Sequence, residues 1–278
     1  MKKTINKLFV AYKPTGLSSN QFLGQLKRQY SPKKAGYSGT LDPFAKGALI
    51  VAFGGHTRLF RFLSKTPKRY RATLWLGAHS DTLDIEAVRQ IDTIEPLHVK
   101  KIREAVESLR GSLSYEPPHF CAKKVDGKRA YDLARAGKEI QLEPITSEIH
   151  DITLLHYCHP FVTFEASVSE GTYIRSLGAI IASRLGLSGG ILSALERLEE
   201  GIFRYNNENA LDIKKSLNIA QNYFSGDAET LFYGRKIDIS DIQIQDDGQY
   251  WLDCGDTIAI IEIQDFTVTY LLNKVEAC

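Results

Sequence analysis

The order of strand-like and helix-like segments is the feature of this sequence that most narrows its possible folds. The unbroken apolar run ALIVAFG at residues 48–54 is typical of a buried strand. The segments YRATLWLG at residues 70–77 and FVTFEASV at residues 161–168 alternate between apolar and polar side chains, as half-buried strands do. LFVAY at residues 8–12 adds a further strand near the start of the chain.

Three segments between these strands carry apolar residues at helical spacing. The first begins near Ser19 and stops before Pro32, the second covers residues 98–110, and the third covers residues 172–186 and ends at Gly186. Strands and helices therefore follow each other irregularly, without the regular alternation of a doubly wound sheet. This order predicts an α+β fold class with a mixed, mostly antiparallel sheet flanked by helices.

The last quarter of the chain has a different character. Past residue 206 come the short strand candidates QYWLDC, TIAIIEI and FTVTYLL, separated by Gly and Asp. Residues 206–278 hold 13 acidic and 5 basic residues. We therefore predict one large domain over residues 1–215 and a short acidic β module over residues 231–278.

Charge is distributed very unevenly along the chain. Residues 1–80 hold 15 Lys or Arg and a single carboxylate, Asp42, whereas the remaining residues hold 20 basic and 32 acidic side chains. This asymmetry indicates a polyanionic partner for the N-terminal part, the alternative being a lysine-rich solvated surface. Aromatic residues among the cations, in KRYR (68–71) and RLFRF (58–62), favour single-stranded or looped RNA, since bases stack on rings.

Several function classes are disfavoured by composition. No apolar run approaches the ~20 residues of a membrane span, and we expect a cytoplasmic protein. The four cysteines are widely separated, which indicates free thiols, and the cluster HYCHP at residues 156–160 has no second ligand cluster, so it is predicted to be a loop between strands. We expect no metal and no cofactor, because no glycine-rich phosphate loop is present either. A monomer is the default expectation.

The isolated Asp42 lies in the segment GYSGTLDPFAKG, which combines three glycines with a proline. Pro43 biases Asp42 toward an extended or turn conformation, so its carboxylate is displayed on a loop before a buried strand. Asp42 could simply turn the chain. However, a lone carboxylate in a basic groove opposes phosphate binding, which favours a chemical role as nucleophile or base.

The segment GYSGTLDPFAKGALIVAFGGHTRLF at residues 36–60 closely resembles the signature of bacterial TruB-type tRNA pseudouridine synthases, roughly G-H-T-G-T-L-D-P-x-A-x-G-x-L. Supporting blocks occur in the expected order: YKPTGLSSN (12–20), KRYRATLWLG (68–77), YDLARAG (131–137), EGTYIRSLG (170–178) and LERL (195–198). The resemblance spans residues 8 to about 205 and falls off in the acidic tail.

The resemblance implies isomerisation of one uridine in the T arm of tRNA, at position 55, to pseudouridine. The N1–C1′ bond breaks, the base rotates, and C5 bonds to C1′, without cofactor or metal. Because the target base lies inside a folded loop, it must be flipped out. Residues 1–215 would then form the pseudouridine synthase catalytic domain, and residues 231–278 a PUA-like module.

The resemblance also assigns site residues. Asp42 matches the essential aspartate, which either attacks C1′ or removes a sugar proton. Arg175 matches the arginine that pairs with this aspartate, although it could be a solvated helix residue. Tyr70 matches the tyrosine that packs on the flipped base, although a strand aromatic facing the core is the alternative.

Three further assignments rest on shorter matches. Lys13, with Pro14, matches a Lys-Pro pair near the active site, the alternative being a surface lysine at a strand end. Leu195 matches a leucine that lines the uracil pocket, and core packing would explain it equally. Residues 119–140 resemble an insertion that grips the T arm, or else form a solvated helix.

The sequence departs from the family pattern at several positions. Tyr37 stands where the family usually has a His that approaches the RNA; Tyr can stack and hydrogen-bond but is not cationic near neutral pH. Asp84 lies in DTLDIEA, which lacks the glycine usual after this aspartate. The tail is short and acidic, so deletion of residues 231–278 is predicted to leave tRNA binding within about tenfold.

Two classes of function remain open from the sequence. The first is an enzyme that modifies tRNA, and the second is a non-catalytic tRNA-binding or folding protein with the same scaffold. A DNA-binding module ranks third, because no motif for a major-groove helix is recognisable.

Overall fold

The computed structural model describes residues 5–121, 123–125, 128–130, 133 and 142–277. The main sheet consists of β1 (Lys7–Lys13), β2 (Ala35–Ser38), β3 (Lys46–Phe53), β4 (Lys68–Leu76), β7 (Gly111–Tyr115), β10 (Ile145–Cys158), β11 (Phe161–Val168), β12 (Gly190–Glu200) and β13 (Phe203–Arg204). Two short ribbons are formed by β5 (Ala78–Ser80) with β6 (Val88–Ile91), and by β8 (Lys124–Val125) with β9 (Lys128–Arg129). A second sheet contains β14 (Ala220–Asn222), β15 (Gly248–Cys254), β16 (Thr257–Gln264) and β17 (Thr267–Glu276).

The helices are α1 (Ser19–Tyr30), α2 (Val99–Glu107), α3 (Ile174–Arg184), α4 (Ile213–Ser216) and α5 (Ala228–Tyr233), with 3₁₀ helices at Gly54–Phe62, Ile85–Ala87 and Ile239–Asp241. The predicted helix over residues 98–110 therefore ends earlier, at Glu107, because Gly111 already begins strand β7. The other two predicted helices start and end close to their expected positions.

The main sheet is mixed and mostly antiparallel, as predicted. Its strand order is β1-β3-β12-β4-β11-β10-β7, with β2 added beside β3 and β13 beside β12. Within the described residues, the parallel contact of this sheet is the short one between β3 and β12, where Lys46 lies opposite Glu196 and Gly47 opposite Arg197. The α+β fold class, with its C-terminal strand module, is thus confirmed.

Helices cover the main sheet. Helix α1 begins at Ser18, whose hydroxyl accepts from the amide of Gln21 in a capping box, and it buries Phe22 and Leu26 against β1 and β3. Helices α2 and α3 pack with the inward side chains of β4, β10, β11 and β12 to form the largest core. Helix α3 consequently packs against strands β4 and β12.

Strand β4 shows how the alternating pattern divides its residues between two faces. Tyr70 points inward and is buried, whereas Arg69 and Arg71 point outward and donate to Glu165 on β11 at 2.7 and 2.6 Å. Two cations of the KRYR segment are therefore neutralised by a protein carboxylate. The ion pairs account for these two arginines without an RNA contact, and the interpretation of this segment as RNA-binding stays a prediction.

The RLFRF segment is also more structural than predicted. It lies in the 3₁₀ helix Gly54–Phe62, and both Leu59 and Phe62 are buried. They belong to a core that the main sheet shares with the second sheet. Phe62 is therefore a packing residue and is not available to stack on a base.

The two sheets share this core directly. Leu8, Val10 and Ile50 of the main sheet pack in one cluster with Trp251 and Ile260 of the second sheet. The second sheet takes its first strand from Ala220–Asn222, ahead of residue 231. The division into domains 1–215 and 231–278 stays a prediction.

Two other sequence predictions concern connecting segments. Residues 156–158 of HYCHP end strand β10, and the turn into β11 follows at residues 159–160. The predicted insertion at residues 119–140 falls largely outside the described residues. Across the described parts of the chain, no helix has the length and apolar character needed to cross a membrane.

Candidate active site

The loop between β2 and β3 carries Asp42, and its neighbours anchor it in the core. Leu41 and Phe44 are buried among the side chains of the largest core cluster. The amide of Ala45 donates to the carbonyl of Asp42 at 3.1 Å, which closes a turn at the Asp-Pro step. With its backbone fixed, Asp42 keeps 34% of its side chain exposed.

Residues from the first strand and helix hold this loop on one side. Ser19 Oγ accepts from the amide of Leu41 at 2.9 Å and donates to its carbonyl at 3.0 Å. Lys13 Nζ donates to the carbonyl oxygens of Leu17 at 2.6 Å and Pro14 at 2.9 Å, and lies 3.4 Å from that of Pro43. Lys13 is 0% exposed, so the alternative of a surface lysine is wrong.

Arg175 lies directly against Asp42. Its Nε is 2.9 Å from Asp42 Oδ2, and its Nη2 is 3.3 Å from Oδ1, so the guanidinium faces both carboxylate oxygens. The remaining donors bind the carbonyls of Thr82 at 2.6 Å and Phe120 at 2.9 Å. Arg175 is 4% exposed at the start of α3, so it is not a solvated helix residue.

Asp84, in the segment that departs from the family pattern, is a second carboxylate on the same arginine. Its Oδ2 lies 3.6 Å from Arg175 Nη1, and its Oδ1 accepts from Thr82 Oγ1 at 2.6 Å and from the amide of Glu86 at 3.0 Å. Asp84 is buried and caps a 3₁₀ helix. Arg175 therefore contacts two carboxylates, Asp84 through Nη1 and Asp42 through Nε and Nη2.

The ionisation of Asp42 reflects competing influences. Burial raises the pKa of the Asp42 carboxyl above its ordinary value, and the Asp84 carboxylate raises it further, while Arg175 and Lys13 oppose the shift. Burial also lowers the pKa of Lys13 to about 8, although the charge of Asp42 counteracts this. The carboxylate is consequently partly desolvated and held by two cations.

Asp42 and Arg175 line two adjoining cavities. The first, about 380 Å³, is also lined by Tyr70 and Leu195. The second, about 510 Å³, is also lined by Tyr37. The Asp42 carboxylate thus borders both cavities, and the sequence-predicted residues other than Lys13 border one or both of them.

Tyr70 and Leu195 occupy positions that fit both interpretations of the sequence, namely packing in the core and contact with the substrate pocket. Tyr70 is 8% exposed and Leu195 is 7% exposed, so both belong to the core. Both nevertheless present a surface to the first cavity. The core and pocket alternatives are therefore compatible, because the cavity is cut into the edge of the core.

A buried ionic group beneath the loop was missed by sequence reasoning. Arg197 is 1% exposed and Glu200 is 0% exposed, with Arg197 Nη2 lying 3.2 Å from Glu200 Oε2. Lys68 Nζ lies 3.3 Å from Glu200 Oε1. The signal available was the charged run LERLEE within a strand whose first half, GILSA, carries no charge.

Comparison with known proteins places this site in a family. Residues 27–174 match the model of the TruB family pseudouridylate synthase N-terminal domain, a segment that includes Asp42, Tyr70 and Asp84. The chain belongs to the TruB family of pseudouridylate synthases. The resemblance read from the sequence is confirmed.

Relatives in this family match the chain over almost its whole length. The tRNA pseudouridine synthase B of Sulfurimonas denitrificans is 59% identical over 272 residues, covering 98% of this chain and 100% of the relative. The tRNA pseudouridine synthase B of Campylobacter jejuni is 48% identical over 274 residues, covering 99% of this chain and 100% of the relative.

Solved structures share the fold at much lower identity. A structure described as a Cbf5-Nop10-Gar1 complex aligns with a TM-score of 0.68 at 16% identity, covering 96% of this chain and 84% of that one. An archaeal box H/ACA sRNP Nop10-Cbf5 complex aligns with a TM-score of 0.65 at 17% identity, covering 97% of this chain and 85% of that one. These likenesses extend the shared fold into the C-terminal module.

Proposed function

We propose that this member of the family isomerises uridine 55 in the T arm of tRNA to pseudouridine, using Asp42 as the reacting carboxylate. The observation that carries the proposal is the position of Asp42, held by both donors of Arg175 on the wall of a cavity of about 380 Å³. A cavity of this size is sufficient for one extruded base with its sugar. The relatives named tRNA pseudouridine synthase B point to the same substrate class.

The reaction needs an ionised carboxylate beside C1′ of the nucleotide. Asp42 either attacks C1′ directly or removes a sugar proton, and in both routes the N1–C1′ bond breaks. The detached uracil then rotates and C5 bonds to C1′, as the C1′–O bond to Asp42 breaks in the first route or the sugar proton returns in the second. The C5 proton leaves to a base and N1 gains a proton, so the composition of the RNA is unchanged. Arg175 keeps the carboxylate charged and oriented through two donors.

The cavity walls give the base a stacking surface and an apolar boundary. Tyr70 offers its ring to the flipped uracil, and Leu195 closes the other part of the pocket. The hydroxyl of Tyr70 has no hydrogen-bond partner among the described residues, which leaves it free to help remove the C5 proton. Tyr37 borders the second cavity, where it would meet RNA next to the flipped nucleotide.

Charge on the surface supports binding of a polyanion. Lys27, Arg28, Lys33 and Lys34 follow one another at the end of α1 and before β2. In the part of the chain that the structure describes, none of these four pairs with a carboxylate. They lead directly into the strand that carries Tyr37, so phosphates bound there would approach the second cavity.

The substrate side of the proposal is tested with an unmodified tRNA transcript. After incubation with the wild-type protein, chemical labelling of pseudouridine and primer extension should give one stop, at position 55. A transcript with cytidine at that position is the matched control and should give no stop. Labelling at another uridine, or no labelling at saturating protein, would overturn the proposed position or the proposed activity respectively.

A further inference from the structure

Arg197 on β12 binds both ends of the Asp42 loop. Its Nε donates to the carbonyl of Ala48 at 2.7 Å, and its Nη2 donates to the carbonyl of Gly39 at 2.9 Å. Gly39 precedes Asp42 in the loop, and Ala48 follows the loop in β3. One rigid guanidinium therefore fixes the separation of the two chain segments between which Asp42 is displayed.

The glycines of the loop are required by this close approach. Gly39 has φ +65°, and a Cβ there would lie 2.9 Å from Arg197 Nη1 and 2.7 Å from Glu200 Oε1. Gly47 has φ +117°, and a Cβ there would lie 2.2 Å from the carbonyl oxygen of Arg197. Gly39 and Gly47, at the two ends of GTLDPFAKG, thus lie where Arg197 leaves no room for a side chain.

The charge of Arg197 is balanced inside the protein. Glu200 lies 3.2 Å from its Nη2, and Lys68 shares Glu200 while approaching Glu170 at 3.6 Å. Burying such ions costs desolvation free energy, and apolar residues of similar volume are often as stabilising. An apolar side chain could therefore fill this space equally well. Binding the carbonyls of Gly39 and Ala48 requires the donors of an arginine.

We propose that Arg197 is a positioning residue for the isomerisation, acting through the Asp42 loop. It sets the position at which Asp42 meets Arg175 and the cavity, while Lys13 and Ser19 contact the same loop at Pro43 and Leu41. This inference rests on the proposed function for its catalytic consequence. Its structural consequence, an ordered loop over residues 39–47, can be measured independently.

The test separates positioning from charge and stability. The double variant Arg197→Met/Glu200→Gln removes one cation and one anion, so net charge is unchanged and no carboxylate is left facing an absent arginine. Arg197→Lys keeps the charge beside Glu200 but lacks the planar fork that reaches two carbonyls. The matched control is Arg69→Met/Glu199→Gln, which also removes one cation and one anion, from an ion pair of 3.1 Å that links β4 to β12 and has a half-exposed arginine.

Hydrogen exchange of the amides in residues 39–47 and the single-turnover rate constant at saturating protein are measured for each variant. For Arg197→Met/Glu200→Gln and for Arg197→Lys we expect faster exchange in the loop and a rate at least tenfold lower, about 100-fold if the carboxylate moves by ~1 Å. The control should keep loop protection and stay within threefold of the wild-type rate.

A rate loss below tenfold, or unchanged protection of the loop, would overturn the positioning role. If the double variant does not fold, Arg197→Lys decides by the same threshold, and if neither folds, Arg197 is a folding determinant and the proposal fails. Absence of pseudouridine with the wild-type protein counts against the proposed function alone, since loop exchange still reports whether Arg197 holds the loop.

Discussion

At Asp42, burial and neighbouring charge act on one carboxylate in opposite directions. Burial and Asp84 raise its pKa, while Arg175 and Lys13 lower it. The outcome is a carboxylate that is partly desolvated and still held by cations, as the proposed chemistry requires. This balance makes the activity of the site sensitive to any change in nearby charge.

The pH dependence of the reaction follows from that balance. Because only ionised Asp42 reacts and its pKa is raised, the single-turnover rate should fall on acidification at a pH above the ordinary Asp value of about 3.9. Lys13→Met removes a cation that lowers this pKa, so its acid limb should lie at higher pH than that of the wild type. An acid limb that stays in place or moves to lower pH in Lys13→Met would contradict this assignment.

Tyr70 is predicted to act through its ring. Tyr70→Ala removes the stacking surface and should lower the single-turnover rate by about 5- to 150-fold, from ~1–3 kcal/mol of stacking. Tyr70→Phe keeps the ring and isolates the hydroxyl. If Tyr70→Ala matches the wild-type rate at equal folded fraction, the ring does not contact the base.

The residues that form this site could be predicted only in part from the sequence. Asp42 and Arg175 could be identified because they lie in long contiguous motifs. The burial of Lys13 and the contacts of Arg197 could not, since Lys13 is held by the carbonyls of Leu17 and Pro43. Arg197 reaches the carbonyl of Ala48 through the pairing of β3 with β12. Contacts between distant segments leave no local pattern in the chain.

At the scale of secondary structure, the parallel contact between β3 and β12 determines where the Asp42 loop sits. Gly47 lies opposite Arg197 in that contact and has no room for a side chain. The two strands can approach only because this position is glycine. The loop, the strand pair and the buried arginine are consequently one unit.

Substitution of Gly47 tests this unit. Gly47→Ala combines an unfavourable φ of +117° with a backbone clash, whereas Gly111→Ala, at φ +101°, meets nothing within 4 Å. Both should lose about 1–2 kcal/mol of unfolding free energy from the positive φ, and Gly47→Ala should lose a further ~1–3 kcal/mol. Equal losses in denaturant titrations would show that Gly47 is not tightly packed.

Most strands and helices could be predicted from periodicity because their buried faces are regular. Strand β4 alternates over its whole length, and α1 starts at Ser19, as expected. The function of aromatic and basic residues within these elements was harder to predict. Phe62 and Arg69 have the composition of RNA contacts, but the fold assigns one to the core and the other to an ion pair.

At the scale of the whole molecule, the two sheets depend on each other through a shared core. Trp251, Ile258, Ile260, Leu272 and Val275 are contributed by the C-terminal sheet. At about 1.5–3 kcal/mol for each buried side chain, their loss is comparable to the entire stability of a domain. Deletion of residues 231–278 should therefore strongly lower the melting temperature of the remaining chain.

The expectation that the acidic module adds little RNA affinity needs a test that keeps this core. Lys236→Gln/Lys274→Gln changes two exposed cations of the module and should alter the dissociation constant for tRNA by less than tenfold. A filter-binding measurement at fixed salt is sufficient. A larger loss would show that the module is a major RNA contact.

The central claim is that the carboxylate of Asp42 performs the chemistry in an RNA-bound protein, and Asp42→Asn tests it most directly. The measurement is the single-turnover rate of pseudouridine formation on a tRNA transcript, with the dissociation constant determined on the same preparation. We predict a rate at least about 10³-fold lower, with tRNA binding unchanged or tighter because a negative charge has left the cleft. A rate within tenfold of the wild type would contradict the account.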